Sequence, residues 1–162
     1  VIAISAFMAT LSTTNISQAS DGKPSYLTGY VGYFDVVRLD HDAVQFGIEY
    51  RAHTLQYNIR PIVGVNVTNE SSVYGYAGFN WDVELLKDQL YLIPNFAVGF
   101  YKKGDGRDLG GTVEFRSGIE LDYQLPNDHR IGAAFNHISN AGFYKHNPGS
   151  ETALINYSIP LN

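Results

Sequence analysis

From Tyr26 onward the chain alternates between apolar and polar positions, in runs that each close on Gly, Pro, Asn or Asp. Eight such runs are predicted, over 26–35, 43–52, 57–68, 73–85, 90–101, 112–125, 130–140 and 151–161. In 112–125, Val113, Phe115, Ile119, Leu121, Tyr123 and Leu125 share one face with Ser117; Glu114, Arg116, Glu120, Asp122 and Gln124 share the other with Gly118. In 73–85, Val73, Ala77, Phe79, Trp81, Val83 and Leu85 oppose Tyr74, Tyr76, Asn80, Asp82 and Glu84. In 57–68, Ile59, Val63, Val65 and Val67 oppose Asn58, Arg60, Asn66 and Thr68. A period of two puts alternate residues on opposite faces of a strand, and no segment carries a helical stripe.

Alternation alone suits a soluble barrel with an apolar interior as well as a membrane barrel with an apolar exterior. Two features favour the membrane. Eight strands enclose little room, and the small or polar faces (Gly47, Glu49, Arg51; Gly78, Asp82, Glu84; Gly118, Glu120, Asp122) suit a packed polar lumen. The apolar faces are large and nearly unbroken. Glu49, Arg51, Arg60, Glu114 and Arg116 then read as inward pairs, mutually neutralised. Run 26–35 is apolar on both faces and leaves its own parity open.

The N-terminus agrees with export. "VIAISAFMATL" has the length of a signal-peptide apolar region and is too short for a spanning helix, and the small residues Ser17 and Ala19 fit a cleavage site. Residues 1–19 are therefore expected to be part of a signal peptide that the chain enters partway, and 20–162 a single domain. The fold class expected is all-β, an eight-stranded antiparallel transmembrane β-barrel in a Gram-negative outer membrane.

Composition narrows the chemistry. Tyr 12, Phe 9 and Trp 1, 14% of the chain, fit aromatic girdles at membrane boundaries, although soluble β proteins share such values. A net charge of −5 without a basic run argues against nucleic acid as a partner. The absence of cysteine excludes disulfides and thiolate nucleophiles. Asp105 and Asp108 lack the remaining ligands of a calcium loop, and the five His show no metal spacing, so neither metal nor cofactor is expected.

Barrels of this class have short periplasmic turns and longer external loops. The tight "KDQ" and "PNDH" segments read as inner turns; "KKGDGRDLGG" from Lys102 and "NAGFYKHNPGS" from Asn140 read as external loops. On that orientation, Ile131, Ala133, Phe135, His137 and Ser139 form one outward row rising to the external rim. Glu151, Ala153, Ile155, Tyr157, Ile159 and Leu161 form the row beside it. Three polar residues, His137, Ser139 and Glu151, thus converge at the top of two lipid-facing rows. A nucleophile, a base and an orienting carboxylate are the parts that acyl transfer requires. Asn140, Asn147 and the backbone N–H of Gly142 lie in the adjoining loop as oxyanion donors. A site facing the membrane points to a lipid ester, whose phosphates Lys102, Lys103, Arg107 and Lys145 would meet.

The run "HISNAG", the later Asn147 and the Glu151 before "ALINYSIPL" resemble the C-terminal signature of the outer-membrane lipid A 3-O-deacylases, the PagL family. The likeness covers roughly the last third of the chain. It implies an eight-stranded barrel that hydrolyses the ester-linked 3-hydroxyacyl chain at position 3 of lipid A. It also implies Ser139 as nucleophile, His137 as base and Glu151 as acid, with Asn140 and Asn147 in oxyanion-associated positions. Ile138 departs from the pattern at a position expected to be aromatic, and "IPLN" departs from an aromatic terminus. The partners implied are lipopolysaccharide and outer-membrane lipid, with room for a homodimer. A non-enzymatic barrel serving adhesion or envelope structure, and an outer-membrane acyltransferase, remain as alternatives on the residues alone.

Overall fold

The computed structural model describes residues 23–161, so the expected signal segment 1–19 lies outside the described residues. The strands are β1 (Ser25–Phe34), β2 (Ala43–Arg51), β3 (Ile59–Thr68), β4 (Val73–Trp81), β5 (Val83–Leu86), β6 (Leu90–Lys102), β7 (Val113–Gln124), β8 (Arg130–Ser139) and β9 (Ser150–Leu161). They pair antiparallel in the order β4-β3-β2-β1-β9-β8-β7-β6-β5, and a β4–β6 pairing closes the ring. β4 and β5 are one stave interrupted at Asp82, whose N–H donates to the Asn58 carbonyl at 3.0 Å, and both segments pair with β6. The wall is therefore a closed eight-stranded antiparallel barrel, and only its β5 extension pairs on one side alone among the described residues.

Strand limits follow the alternating runs closely, with one difference of conformation. Tyr57 and Asn58 form a single 3-10 turn at φ 60° and 59°, so the third strand starts at Ile59. Two successive left-handed residues reverse the chain and cannot lie in a strand.

Polarity is inverted relative to a soluble protein. Val63, Phe79, Trp81, Ile119, Ile131 and Ile155 project outward and are half exposed or more. An apolar surface this continuous has hydrocarbon as its solvent. Parity of β1 is now settled: Tyr26, Thr28, Tyr30 and Phe34 are buried, whereas Leu27, Val31 and Tyr33 face out. Its inward aromatics serve the lumen by stacking; the Arg60 and Arg130 guanidiniums lie 5.1 and 4.8 Å from the Tyr26 ring centre.

Inside, most charges meet charges, whereas Glu114, expected in a pair, is buried with no partner for its carboxylate among the described residues. Arg51 forms a forked contact with Glu120, Nη1 to Oε1 and Nη2 to Oε2 both at 2.9 Å, while its Nε donates to Glu49 at 2.8 Å. Glu49 also accepts from Tyr76 at 2.8 Å and Arg116 at 3.1 Å, and Asn156 donates to both Glu120 and Asp122 at 2.9 Å. Towards the inner pole Asp82 is shared by Arg60 and Arg130, at 3.1 and 3.0 Å. Gly64 makes room for this packing, because a Cβ there would sit 2.6 Å from the Tyr76 hydroxyl. Glu84, expected among the lumen residues, instead pairs with Lys23 at 3.2 Å in a partly exposed position.

The end of the barrel that carries the longer loops, 103–112 and 140–149, is closed from beneath by apolar side chains. Phe34, Ala43, Tyr74, Tyr101 and Ile138 are buried with Leu109, which the loop 103–112 supplies. Ile138 therefore contributes to this plug, where an aromatic was expected. A lumen filled with ion pairs and capped by this cluster leaves the outer wall and external loops as the places where a lipid can be met.

Removing one partner of the lumen network tests its role. Arg51→Ala strands Glu120 without its cation, leaves Glu49 to Arg116 alone and is expected to cost about 3–5 kcal/mol. Urea unfolding in lipid vesicles should show it as a lower midpoint, whereas Ile131→Leu on the lipid face should leave the midpoint nearly unchanged.

Candidate active site

The register of β8 against β9 places His137 directly opposite Glu151, with Asn136 opposite Thr152 beneath them. Side-chain parity does the rest. Asn136, Ile138 and Thr152 are buried inward, so His137 and Glu151 project from the outer wall. His137 Nδ1 lies 2.9 Å from Glu151 Oε1, with the two side chains 47% and 21% exposed. A carboxylate only accepts, so Nδ1 carries the proton of a neutral imidazole and Nε2 is left as the basic nitrogen.

Ser139 follows two residues later on the same outward face, at the last position of β8. Its partner across β7 is Phe115, and Ser117 is the corresponding partner of His137. Same-face neighbours on a strand are about 6.8 Å apart along the chain, and among the described residues His137 is hydrogen-bonded to Glu151 but not to Ser139. Gly149 borders the free edge of the imidazole: a Cβ there would lie 2.9 Å from His137 Cε1 and 3.4 Å from Nε2. Its φ of +62° also requires the left-handed conformation that glycine tolerates best.

The loop 140–149 is tied down chiefly by Asn140, which is fully buried. Its Nδ2 donates to the carbonyls of Leu109 and His146 at 3.0 and 2.8 Å, and its Oδ1 accepts from the Gly142 N–H at 3.0 Å. The Asn140 N–H in turn donates to Asn147 Oδ1 at 3.1 Å. The donors of Asn140 and Gly142 are thus engaged within the protein. Asn147 is exposed, and its Nδ2 has no acceptor among the described residues.

The four cations separate. Lys102 and Lys145 are exposed at the end of the barrel with the longer loops, and Lys103 reaches Asp108 at 3.3 Å. The Gly110 N–H and then the Lys103 ammonium hold the Asp108 carboxyl below the usual carboxylate range. Arg107 is buried, its Nη1 2.7 Å from Asp35 Oδ2. Among the described residues no cluster of His, Asp and Glu is placed to hold a metal ion.

Sequence reasoning overlooked two features here. The alternating run 26–35 ends on Asp35, and nothing in the neighbouring sequence signals Arg107 as its partner. An aromatic row, Phe79 to Phe96 to Phe115 to Phe143 at 6.1, 6.2 and 5.2 Å between ring centres, leads along the outer wall to the residue opposite Ser139. Parity in the sequence identifies Phe79 and Phe115 as sharing the apolar faces of their runs; the alignment of the row depends on interstrand register.

The chain is similar in fold to a solved structure described as the outer membrane enzyme PagL, at 18% identity and a TM-score of 0.62, covering 84% of this chain and 99% of that one. It is also similar to a structure from de novo design of transmembrane β-barrels, at 18% identity and a TM-score of 0.52, covering 86% and 98%. No curated protein sequence matches it significantly. The family model described as lipid A 3-O-deacylase (PagL) matches residues 43–160, a span that includes His137, Ser139 and Glu151. On that match the chain belongs to the lipid A 3-O-deacylase (PagL) family.

Proposed function

We propose that this protein is a serine esterase that hydrolyses the 3-hydroxyacyl ester at position 3 of lipid A from the outer leaflet of the outer membrane. The observation that carries this reading is the His137–Glu151 pair, 2.9 Å apart on the lipid-facing wall, with Ser139 next on the same face.

A neutral hydroxyl is a weak nucleophile. When a lipid ester lies against the wall, His137 Nε2 takes the Ser139 proton as Oγ attacks the carbonyl carbon. Glu151 holds the Nδ1–H and stabilises the imidazolium that forms. The C=O electrons move to oxygen, and Asn147 Nδ2, without an acceptor among the described residues, is the side-chain donor left to meet that charge, while Asn140 and Gly142 hold the loop in shape. Collapse breaks the ester bond; the sugar hydroxyl leaves with the proton from His137, and the acyl group stays on Ser139. Water, activated by the same histidine, then releases the 3-hydroxy acid and restores serine. The half-exposed imidazole favours water as the acceptor over a second lipid.

Lys102, Lys103 and Lys145 are the cations available to lipid A phosphates, whereas Arg107 is turned to Asp35. The larger loops, 103–112 and 140–149, stand at the same end of the barrel as the pair, which supports an external, outer-leaflet site.

Mass spectrometry of lipid A from cells expressing the protein should show loss of one 3-hydroxyacyl chain. Ser139→Ala, folded to the same heat-modifiable band, should leave lipid A intact. Unchanged lipid A in both would remove the enzyme reading. In vitro, Ser139→Ala and His137→Ala should each lower kcat by at least about a hundredfold. Gly149→Ala should lower it roughly ten- to a hundredfold by displacing the imidazole, with the barrel still assembled. Loss of Lys102, Lys103 and Lys145 together should raise KM and spare kcat, and added salt should raise KM in the parent only.

A further inference from the structure

Glu151 is the second residue of β9, where a strand end would ordinarily fray. Its position is nevertheless determined from several sides, and those constraints lead back to Asp35. Asp35 follows β1 at φ 60° and is fully buried. Its Oδ2 accepts from Arg107 Nη1 at 2.7 Å and from the His41 N–H at 3.1 Å; its Oδ1 accepts from the Ser150 hydroxyl at 3.1 Å. Ser150 immediately precedes Glu151, and the Val36 N–H, next after Asp35, donates to the Glu151 carbonyl at 3.1 Å. Arg107 is itself anchored, its carbonyl accepting from Tyr101 at 2.8 Å. Asp40, the other carboxylate near Arg107, is 3.9 Å away and largely exposed. The loops 35–42 and 103–112 are thus locked together on the inner side of the wall, at the residue before the one that carries the carboxylate outside.

We propose that the buried Asp35–Arg107 ion pair is a positioning element for the esterase, clamping two external loops onto Ser150 and so holding Glu151 against His137. This inference rests on the triad assigned under Proposed function. Neither residue of the pair touches substrate. The clamp acts through the backbone of Ser150 and Glu151, which pair with Ile138 and His137. Losing it lets the first residues of β9 move while the remaining register from Thr152 to Leu161 stays closed against β1 and β8.

The test compares purified, folded Asp35→Ala, Ser150→Ala, Arg107→Ala and Arg107→Lys by hydrolysis of lipid A in detergent and by 15N NMR of the His137 tautomer. The resonance of His137 is assigned by its loss in His137→Asn. Asp35→Ala is expected to lower kcat roughly tenfold or more with KM within about twofold, and to shift His137 away from the Nδ1–H tautomer. Ser150→Ala removes only the hydroxyl link and should move both readouts the same way by less. Arg107→Lys should recover most of what Arg107→Ala loses. If Asp35→Ala does not assemble, Ser150→Ala decides. Wild-type kcat, or a kcat loss with the tautomer unmoved in a folded variant, would overturn the clamp. Full activity in Glu151→Gln would instead overturn the triad, and the tautomer in Asp35→Ala and Ser150→Ala would still report whether the clamp holds Glu151.

Discussion

Backbone N–H and C=O groups inside a membrane find no water, so the sheet must close on itself and every stave must keep its register. The β4–β6 pairing supplies that closure here, and β1 joins β2 to β9 so that the first and last strands have no free edge. The geometry of the proposed site depends on this ring. His137 meets Glu151 because β8 and β9 pair in one register, and a slip of one residue would send Glu151 into the lumen and bring Thr152 or Ser150 outside. The constraint that makes the chain a barrel therefore also brings together two residues that are fourteen positions apart in sequence.

Closure creates an interior that cannot hold water cheaply and a surface that cannot hold charge. The first is met by the forked Arg51–Glu120 contact, by Glu49 between Arg51 and Arg116, and by Asp82 between Arg60 and Arg130. Aromatic rings fill the space that remains, Tyr26 and Tyr91 under Arg130 and Tyr76 under Arg116. The second makes polar residues on the outer wall expensive unless they stand at its rim. His137, Ser139 and Glu151 stand there, at the end of β8 and the beginning of β9, where imidazole and carboxylate keep access to water above a band of hydrocarbon.

Most strands are legible in the sequence because each has one apolar face, and a period of two reports it directly. Strand β1 was harder, since Tyr26, Tyr30 and Phe34 face the lumen while Leu27 and Val31 face lipid, and hydropathy does not distinguish them. The start of β3 was misplaced because left-handed φ at Tyr57 and Asn58 leaves no mark on alternation. The histidine, serine and glutamate are visible as a group because parity and strand adjacency put them on one patch of the outer wall, where the structure pairs the histidine with the glutamate. The parts contributed by loops are not: Asn140 is spent on Leu109 and His146, and Arg107 on Asp35, through contacts between segments whose meeting no local pattern encodes. Parity describes a wall well and says little about what folds over its rim.

The central claim is that Ser139 is a nucleophile made reactive by His137 on the outside of the barrel. Treating the purified barrel with a long-chain fluorophosphonate and mapping the adduct by peptide mass spectrometry tests it most directly. A single adduct on Ser139, nearly absent in His137→Ala, is the result predicted. An unmodified protein, or an adduct on another serine with Ser139 untouched, would contradict it.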